Sequence, residues 1–220
     1  MRARPLASPG AVLLLLPLCG LIAGCPDDPK PPPDPEGPSC LFEPVGDVNA
    51  PIELEIIALD PDYQAYPVEE GSVVHNIFPP QGGRVVFAGV RARNIDPCAV
   101  LLAGALRDPV SKQVRPESRT VNLRPGEDGW ASSVPTDIST FSNIPTCPNQ
   151  WASQDLYGVP YELIVEVTER SGRKASASFT VQPVCEEAGF IEECRCICQG
   201  GYELGEVCTE GTGGGGGAGG

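Results

Sequence analysis

The chain has 220 residues, 29 of them acidic and 15 basic, and its formal net charge at pH 7 is −14. A surface with this excess of negative charge repels nucleic acid and anionic lipid headgroups, so neither is an expected ligand. We interpret the charge as a means of keeping an exposed protein soluble. A bound cation or a basic partner is the alternative interpretation.

The N-terminus has the three parts of an export signal. Arg2 and Arg4 precede an apolar segment, residues 11–23, which ends in small residues. This segment is too short to cross a hydrocarbon core of ~30 Å, which takes about 20 apolar residues. We therefore predict that residues 1–24 are a signal peptide that is removed during export.

The end of this signal resembles a bacterial lipobox. Residues 22–25 have the sequence IAGC, and the earlier Cys19 lacks small residues before it. The resemblance implies that Cys25 receives a thioether-linked diacylglycerol and that the signal is cut just before it. Two or more acyl chains, at ~0.8 kcal/mol per buried methylene, would hold the mature chain on a membrane, which we predict to be a bacterial outer membrane. An ordinary cleaved signal with an incidental cysteine and an uncleaved anchor are the alternatives.

Two low-complexity segments flank the predicted folded part. The tether, residues 25–40, follows the lipid site, and between 26 and 39 half of its residues are proline and four are acidic. Proline removes amide donors and fixes φ, so we expect semi-rigid polyproline II at about 3.1 Å per residue, which would hold the folded part roughly 40 Å from the membrane. Residues 209–220 are mostly glycine, and we predict a disordered tail there.

Between these segments, residues 41–184 alternate apolar and polar side chains in short runs bounded by turn residues such as PPQGG and RPGEDG. Val, Ile and aromatic residues at period two predict strands, and no run keeps the 3.6-residue period of a helix. The strand-like segments are residues 52–59, 72–78, 84–92, 99–106, 119–123, 161–169 and 174–182. Strands with such frequent turns predict an all-β domain, an antiparallel sandwich, rather than a parallel sheet with helices.

The sequence DLYGVPY, which ends at Tyr161, is followed by two strand-like runs and resembles the end of an immunoglobulin-like domain. The resemblance implies an Ig-like or fibronectin-type sandwich in which Tyr161 forms a tyrosine corner, its hydroxyl bonded back to the turn that holds Asp155 and Gly158. The next hairpin would turn at RSGR, where Gly172 is free to take positive φ. Leu163 stands where an antibody-type domain has its second core cysteine, and the AVLLAGAL run has no core tryptophan.

Of the ten cysteines, one leaves with the signal and one carries the lipid, so eight are left for the folded part. An even set in an exported chain predicts disulfides, because exported compartments are oxidising. Cys98 and Cys147 both lie in turn-like contexts, and we predict that they pair, which would stabilise the fold by ~4 kcal/mol in the chain-entropy model. A pair between Cys40 and Cys185, which flank the domain, is left open.

The remaining cysteines lie in a separate C-terminal module, residues 185–208. Within it Cys196, Cys198, the glycine and tyrosine that follow, and Cys208 resemble the last part of an epidermal growth factor-like (EGF-like) module. The resemblance implies a small hairpin closed by a disulfide between Cys198 and Cys208. The upstream cysteines are too few and too crowded for the full six-cysteine pattern, so we predict a truncated knot, with Cys40 left open as a partner. The acidic residues that precede the first cysteine in the calcium-binding form of the module have no counterpart here, so the resemblance does not imply a bound calcium ion.

The cysteines that we predict to be in disulfides are Cys40, Cys98, Cys147, Cys185, Cys194, Cys196, Cys198 and Cys208. Metal binding by the thiolates of the CRCIC run is the alternative. That run lacks histidine and the pair-and-pair spacing of zinc sites, so no metal is expected.

The sequence carries no recognisable catalytic motif. Its single histidine, His75, lies inside a strand-like run, and there is no G-x-S-x-G nucleophile elbow and no H-E-x-x-H helix for zinc. Paired carboxylates can catalyse glycoside hydrolysis without histidine. The candidate acids are Asp60, Asp62, Glu69, Glu70 and Asp96.

We therefore predict a non-catalytic module without a cofactor, held on the membrane by its lipid, that contacts an envelope protein or a polysaccharide. A carboxylate-based or cation-dependent hydrolase on a sandwich scaffold is the alternative. Convergence of the candidate acids on one cleft would favour the hydrolase.

Overall fold

The structure is a computed structural model, and it describes residues 40–208. These residues belong to one compact unit. The predicted signal peptide, the lipid site at Cys25, the tether before Cys40 and the glycine tail lie outside the described residues. Within the described range, no helix is long and apolar enough to cross a membrane.

Strands dominate the described chain, with one short 3-10 helix and one α-helix. The strands are β1 Glu53–Leu59, β2 Ala65–Pro67, β3 Val73–His75, β4 Arg84–Arg93, β5 Val100–Arg107, β6 Val114–Val121, β7 Arg124–Pro125, β8 Ala131–Ser132, β9 Ser142–Cys147, β10 Tyr161–Thr168 and β11 Lys174–Val184. The 3-10 helix covers Ile138–Thr140, and the α-helix, α1, covers Ile191–Cys198.

The strands form two sheets. In the first sheet β2 pairs with β1 and β1 with β4, whose other edge pairs with β9 near its start and with β8 near its end; β7 follows β8. The second sheet has the order β3-β11-β10-β5-β6, and only β3 and β11 are parallel. With β1, β4 and β9 as strands A, B and E, and β5, β6, β10 and β11 as C, C′, F and G, this is the immunoglobulin-like order. The predicted all-β sandwich is confirmed, with one parallel pair in it.

The core lies between the sheets and is built from the inward residues of alternating strands. In β10, Leu163, Val165 and Val167 are buried while the residues between them are partly exposed. β4 differs, because its first seven residues are all buried. A second apolar cluster, which includes Phe87 and Phe141, covers the face of β4 that points away from the main core.

Each predicted segment overlaps an observed strand, but the prediction lacks β2, β7, β8 and β9. The polar residues and Pro145 in the sequence of β9, SNIPTC, conceal the alternation. β6 begins at Val114, earlier than predicted. Its first half has no strand-like pattern in the sequence because Pro116 and charged side chains occupy it, which an edge strand tolerates.

Tyr161 forms the predicted tyrosine corner at the start of β10. It is buried, and its hydroxyl donates to the carbonyl oxygens of Gln154 at 3.1 Å and Asp155 at 3.2 Å. Burial raises the pKa of this phenol, so the hydroxyl stays protonated and continues to donate. Gly158 follows in the same turn with a φ of +71°. Gly172 takes a φ of +87° in the hairpin between β10 and β11, as predicted.

The disulfides of the described chain are Cys40–Cys98, Cys147–Cys198, Cys185–Cys194 and Cys196–Cys208. The predicted pair between Cys98 and Cys147 is wrong. Cys98 follows the end of β4, whereas Cys147 lies opposite Arg84, the first residue of β4. Ten residues of strand place them about 30 Å apart, and a disulfide needs Cα atoms within ~7 Å. Cys40 and Cys185, whose pairing was left open, also do not pair.

The predicted EGF-like hairpin, with its disulfide between Cys198 and Cys208, is wrong as well. This part of the chain forms α1. Residues four apart lie on one face of a helix, and residues two apart lie on nearly opposite faces. Cys194 and Cys198 therefore both face the core and are buried, whereas Cys196 faces outward and bonds to Cys208. The helix packs into the same core cluster as the sandwich, so the cysteine-rich segment is an appendage of one unit.

An ion cluster around the buried side chain of Arg84 also holds this appendage, and we name it the Arg84 clamp. The side chain of Arg84 has no exposed surface; its guanidinium donates to Glu187 at 2.7 Å and to Glu193. Its Cζ lies 5.1 Å from the ring centroids of both Phe78 and Phe190, which stack on each other at 5.4 Å. Arg84, the first residue of β4, thereby binds one carboxylate just before α1 and one in its first turn, and so fixes the start of this helix.

Replacing both Glu187 and Glu193 by glutamine is expected to lower the free energy of unfolding by about 3–5 kcal/mol, because the buried guanidinium loses its counter-charges. Chemical denaturation of the full chain at pH 7 measures this change. Glu186→Gln is the matched control, since that side chain is 62% exposed and its loss should cost less than about 0.5 kcal/mol. Equal stability of the double variant and the control would contradict the clamp.

Candidate ligand-binding groove

An open groove of about 550 Å³ lies at one end of the sandwich, and we name it the end groove. Its volume is in the range of small-ligand sites, about 300–1,000 Å³. Three segments form its walls: the turn between β5 and β6, the loop between β9 and β10, and the chain that follows α1. The lining residues are Ser111, Gln113, Asn149, Gln150, Trp151, Ala152, Ser153, Gly201, Tyr202, Glu203 and Leu204.

Asp108, which does not line the groove itself, joins the first wall, the turn between β5 and β6, to the second wall, the loop between β9 and β10. Its Oδ1 accepts from the amides of Val110 at 2.7 Å and Ser111 at 3.2 Å, and its Oδ2 accepts from the amide of Ser153 at 2.6 Å and from the Ser153 hydroxyl at 2.7 Å. Asp108 is fully buried. Burial by itself would raise the pKa of this carboxyl, but the bonds from Ser153, Val110 and Ser111 outweigh it and hold the pKa well below its usual range.

Asn149 joins the second wall, the loop between β9 and β10, to the third wall, the chain that follows α1. Its side-chain amide donates to the carbonyl oxygens of Gln154 at 2.9 Å and Cys198 at 3.3 Å, and its Oδ1 accepts from the amide of Ala152 at 3.0 Å. Its backbone amide donates to Ile197 at 2.8 Å. The disulfide from Cys198 to the end of β9 lies beside these bonds. The loop before β10 is therefore fixed to the end of α1 by a covalent bond and by several hydrogen bonds.

The third wall is anchored by a close backbone approach at Gly200. The amide of Gly200 donates to Oδ1 of Asp155 at 2.8 Å. A Cβ on Gly200 would lie 3.1 Å from backbone atoms of Gln154, which is too close for ordinary packing. The disulfide between Cys196 and Cys208 closes the loop that carries this wall.

Two aromatic side chains line the end groove with their polar ends already bonded. The indole N–H of Trp151 donates to the carbonyl oxygen of Thr146 at 3.0 Å, and the ring meets that of Tyr161 edge-on at 6.1 Å. The hydroxyl of Tyr202 donates to the carbonyl oxygen of Glu206 at 3.2 Å. Trp151 and Tyr202 are each only half-buried. Their rings are thus oriented, and part of each is open to a ligand.

The polar lining is uncharged apart from one carboxylate, Glu203, and none of the lining residues is cationic. Within residues 40–208, the side-chain amides of Gln113 and Gln150 make no hydrogen bond to another protein group. They are free to bond to a ligand as donor and as acceptor. The end groove is therefore chemically suited to an uncharged polar ligand.

The candidate acids of the hydrolase alternative lie elsewhere and do not share a described cavity. Asp60 and Asp62 are in the turn between β1 and β2, and Asp60 accepts from the amide of Asp62 at 2.9 Å. Glu69 and Glu70 are in the turn between β2 and β3, where Glu70 accepts from the amide of Thr180. Asp96 is in the loop after β4 and accepts from the amide of Cys98. His75 does not line the end groove either; its Nδ1 lies 3.8 Å from the carboxylate of Glu186.

The metal-thiolate alternative for the CRCIC run also fails on its chemistry. The Sγ atoms of Cys185, Cys194 and Cys198 come within 4.8 Å of one another. Each of these sulfurs already belongs to a disulfide and offers no thiolate to a metal.

Two further cavities, of about 470 and 290 Å³, share Ser132 and Ser133 on the first sheet. Some of the charges beside them are paired with one another, whereas Arg124 and Glu127 form no ion pair within residues 40–208. Arg91 binds both Glu55 and Asp128, and its Cζ lies 5.0 Å above the ring of Trp130. The paired part of this network is less suited to a ligand than the free amides of the end groove.

The end groove lies opposite the end where the described chain begins. Cys40 is bonded to Cys98 in the loop between β4 and β5, at the end of the sandwich that also holds the hairpin between β10 and β11. The groove adjoins the other end of β10, and eight residues of strand span roughly 25 Å.

The groove residues were not among the residues predicted from the sequence, although the run NQWASQ after Cys147 concentrates amide and aromatic side chains in one loop.

Asp108→Asn is expected to destabilise the protein at pH 7 and to flatten its stability profile at low pH. The pKa of Asp108 is lowered by folding, so its contribution is complete above the unfolded value of about 3.9 and is lost as the pH falls through the folded pKa. Urea denaturation at pH 7 and pH 3 measures both effects. Asp62→Asn, an exposed turn residue, is the control and should change neither. A parallel shift of Asp108→Asn and the unaltered chain at both pH values would contradict this role.

Comparison with models of protein families, with curated proteins and with solved structures finds no match to this chain.

Proposed function

We propose that this chain is a lipid-anchored protein of the bacterial cell envelope that binds an uncharged polar ligand in the end groove without catalysing a reaction on it. The observation that carries the proposal is the groove itself, with oriented aromatic rings, free side-chain amides and walls fixed by disulfides and hydrogen bonds. Rigid walls lower the entropy cost of binding, which is the usual design of a recognition site.

The export and anchoring part of the proposal is supported by the resemblance to a lipobox and by the cysteines. Every cysteine from Cys40 to Cys208 is in a disulfide. Disulfides persist in oxidising compartments such as the periplasm and the cell surface. The proline-rich tether would then connect a lipid on Cys25 to Cys40.

The position of the end groove suits a displayed receptor. The tether would enter the sandwich at the end that holds the Cys40–Cys98 disulfide. The groove lies at the opposite end, beyond the length of β10. A protein held in this way would present its groove away from the membrane to which it is attached.

The hydrolase alternative has less support. Glycoside hydrolysis usually takes two carboxyl groups about 5–9.5 Å apart, on either side of the bond that is cut. Among the residues that line the end groove only Glu203 is a carboxylate. This lining favours binding over hydrolysis.

The anchor is tested with Cys25→Ser expressed in a bacterial host that is fed an alkyne-tagged fatty acid. We expect the unaltered chain to take up the label and to fractionate with the outer membrane, and the variant to lose both properties, because the thiol that forms the thioether is missing. Cys19→Ser is the matched control and should be labelled normally. Equal labelling of the chain and of Cys25→Ser would end the lipoprotein proposal.

The binding role is tested with a photo-crosslinking amino acid placed at Leu204, an exposed residue in the lining of the end groove, or at Gln182, an exposed position on β11. In intact cells we expect the crosslinker at position 204 to capture an envelope component that the crosslinker at position 182 does not capture. Identical capture patterns at the two positions, or no capture at position 204, would argue against the groove as the binding site.

A further inference from the structure

We propose that the ligand of the end groove is a neutral glycan chain. This inference rests on the proposed binding function and adds the chemical class of the ligand. It is carried by the combination of aromatic faces, free amides and missing positive charge in one open groove.

The aromatic residues fit sugar rings. A pyranose ring presents an apolar face of C–H groups, which packs against the face of an aromatic side chain, while its hydroxyls stay available at the rim. Trp151 and Tyr202 are suited to this contact because their polar ends are bonded to Thr146 and Glu206 and their side chains are partly exposed in the groove. Aromatic rings contribute a large contact area at a low cost in conformational entropy.

The polar residues fit hydroxyl groups. A sugar hydroxyl both donates and accepts, and a side-chain amide does the same with its N–H and C=O groups. Gln113 and Gln150 lie on two different walls of the groove and offer both kinds of group. Ser111 adds a hydroxyl on the first of these walls.

The charges indicate that the glycan is neutral. No lysine, arginine or histidine lines the groove, and Glu203 adds a negative charge to a chain of net charge −14. Uronates, sulfated sugars and phosphate-linked polymers would be repelled by this surface and would find no cation to pair with.

A peptide is the other class of ligand, and the groove suits it less. Peptide sites usually provide either a free sheet edge or apolar pockets for anchor side chains. The aliphatic lining consists of Ala152 and Leu204, and Leu204 is 73% exposed, so neither forms a pocket. The first two walls are a turn and a loop rather than strand edges.

The test is isothermal titration of the full chain, solubilised in detergent, with neutral oligosaccharides of four to eight hexose or N-acetylhexosamine units. Uronate oligosaccharides of the same lengths are the charged comparison. We expect at least one neutral series to bind and the uronates not to bind. Tyr202→Ala and Gln150→Ala should each weaken binding by about tenfold or more. Neither side chain belongs to the core cluster, so both variants are expected to fold.

Each variant has a matched control outside the groove. Phe42→Ala removes an aromatic side chain that is 43% exposed near Cys40, and Gln182→Ala removes an exposed amide on β11. Both should bind within about twofold of the unaltered chain. If no neutral oligosaccharide binds, or if Tyr202→Ala and Phe42→Ala bind equally well, the glycan proposal is wrong.

The crosslinking experiment at Leu204 separates the two proposals. Capture of a protein at position 204, without neutral glycan binding, would overturn the glycan proposal and leave the binding function in place. Capture of nothing, together with an absence of glycan binding, would overturn both. Capture of a neutral polysaccharide that titrates as expected would support both.

Discussion

The disulfide between Cys147 and Cys198 joins the last residue of β9 to the last residue of α1, and the groove end of the molecule depends on it. Cys198 is fully buried, and the disulfide from Cys185 to Cys194 lies against it, with the Sγ atoms of Cys194 and Cys198 3.8 Å apart. Two neighbouring covalent bonds thus fix α1 against the sandwich. Asn149 and Asp155 can bond to the chain at Cys198 and Gly200 only because α1 is held there.

The Arg84 clamp complements these covalent bonds with charge. A buried guanidinium charge is costly unless it is paired with opposite charge, so Glu187 and Glu193 have to lie where they do. The disulfides limit how far the appendage can move, whereas the clamp selects one orientation among those that remain. Asp108 acts in the same way beneath the groove, since one buried carboxylate fixes the turn after β5 to the loop before β10.

The sequence predicts the sandwich well, because alternation in segments such as β10 and the turn chemistry at Gly172 are local properties. It also predicts the tyrosine corner, which forms within one short motif around Tyr161. The disulfide pairs could not be predicted in this way, since Cys98 and Cys147 have similar local contexts and differ only in which end of β4 they occupy. α1 was missed because its eight residues include three cysteines and no sustained apolar period. The groove was missed because its walls come from three segments distant in sequence.

The spacing of Cys194 and Cys198 on α1 has an evolutionary consequence. An insertion of one residue between them would rotate one sulfur by about 100° away from the core, so their spacing is not free to change. The disulfide between Cys196 and Cys208 closes the chain after Gly200 into a loop, and sequence changes within that loop leave both core disulfides intact. A lineage of such chains is thus able to change what the third wall recognises without changing how the protein folds.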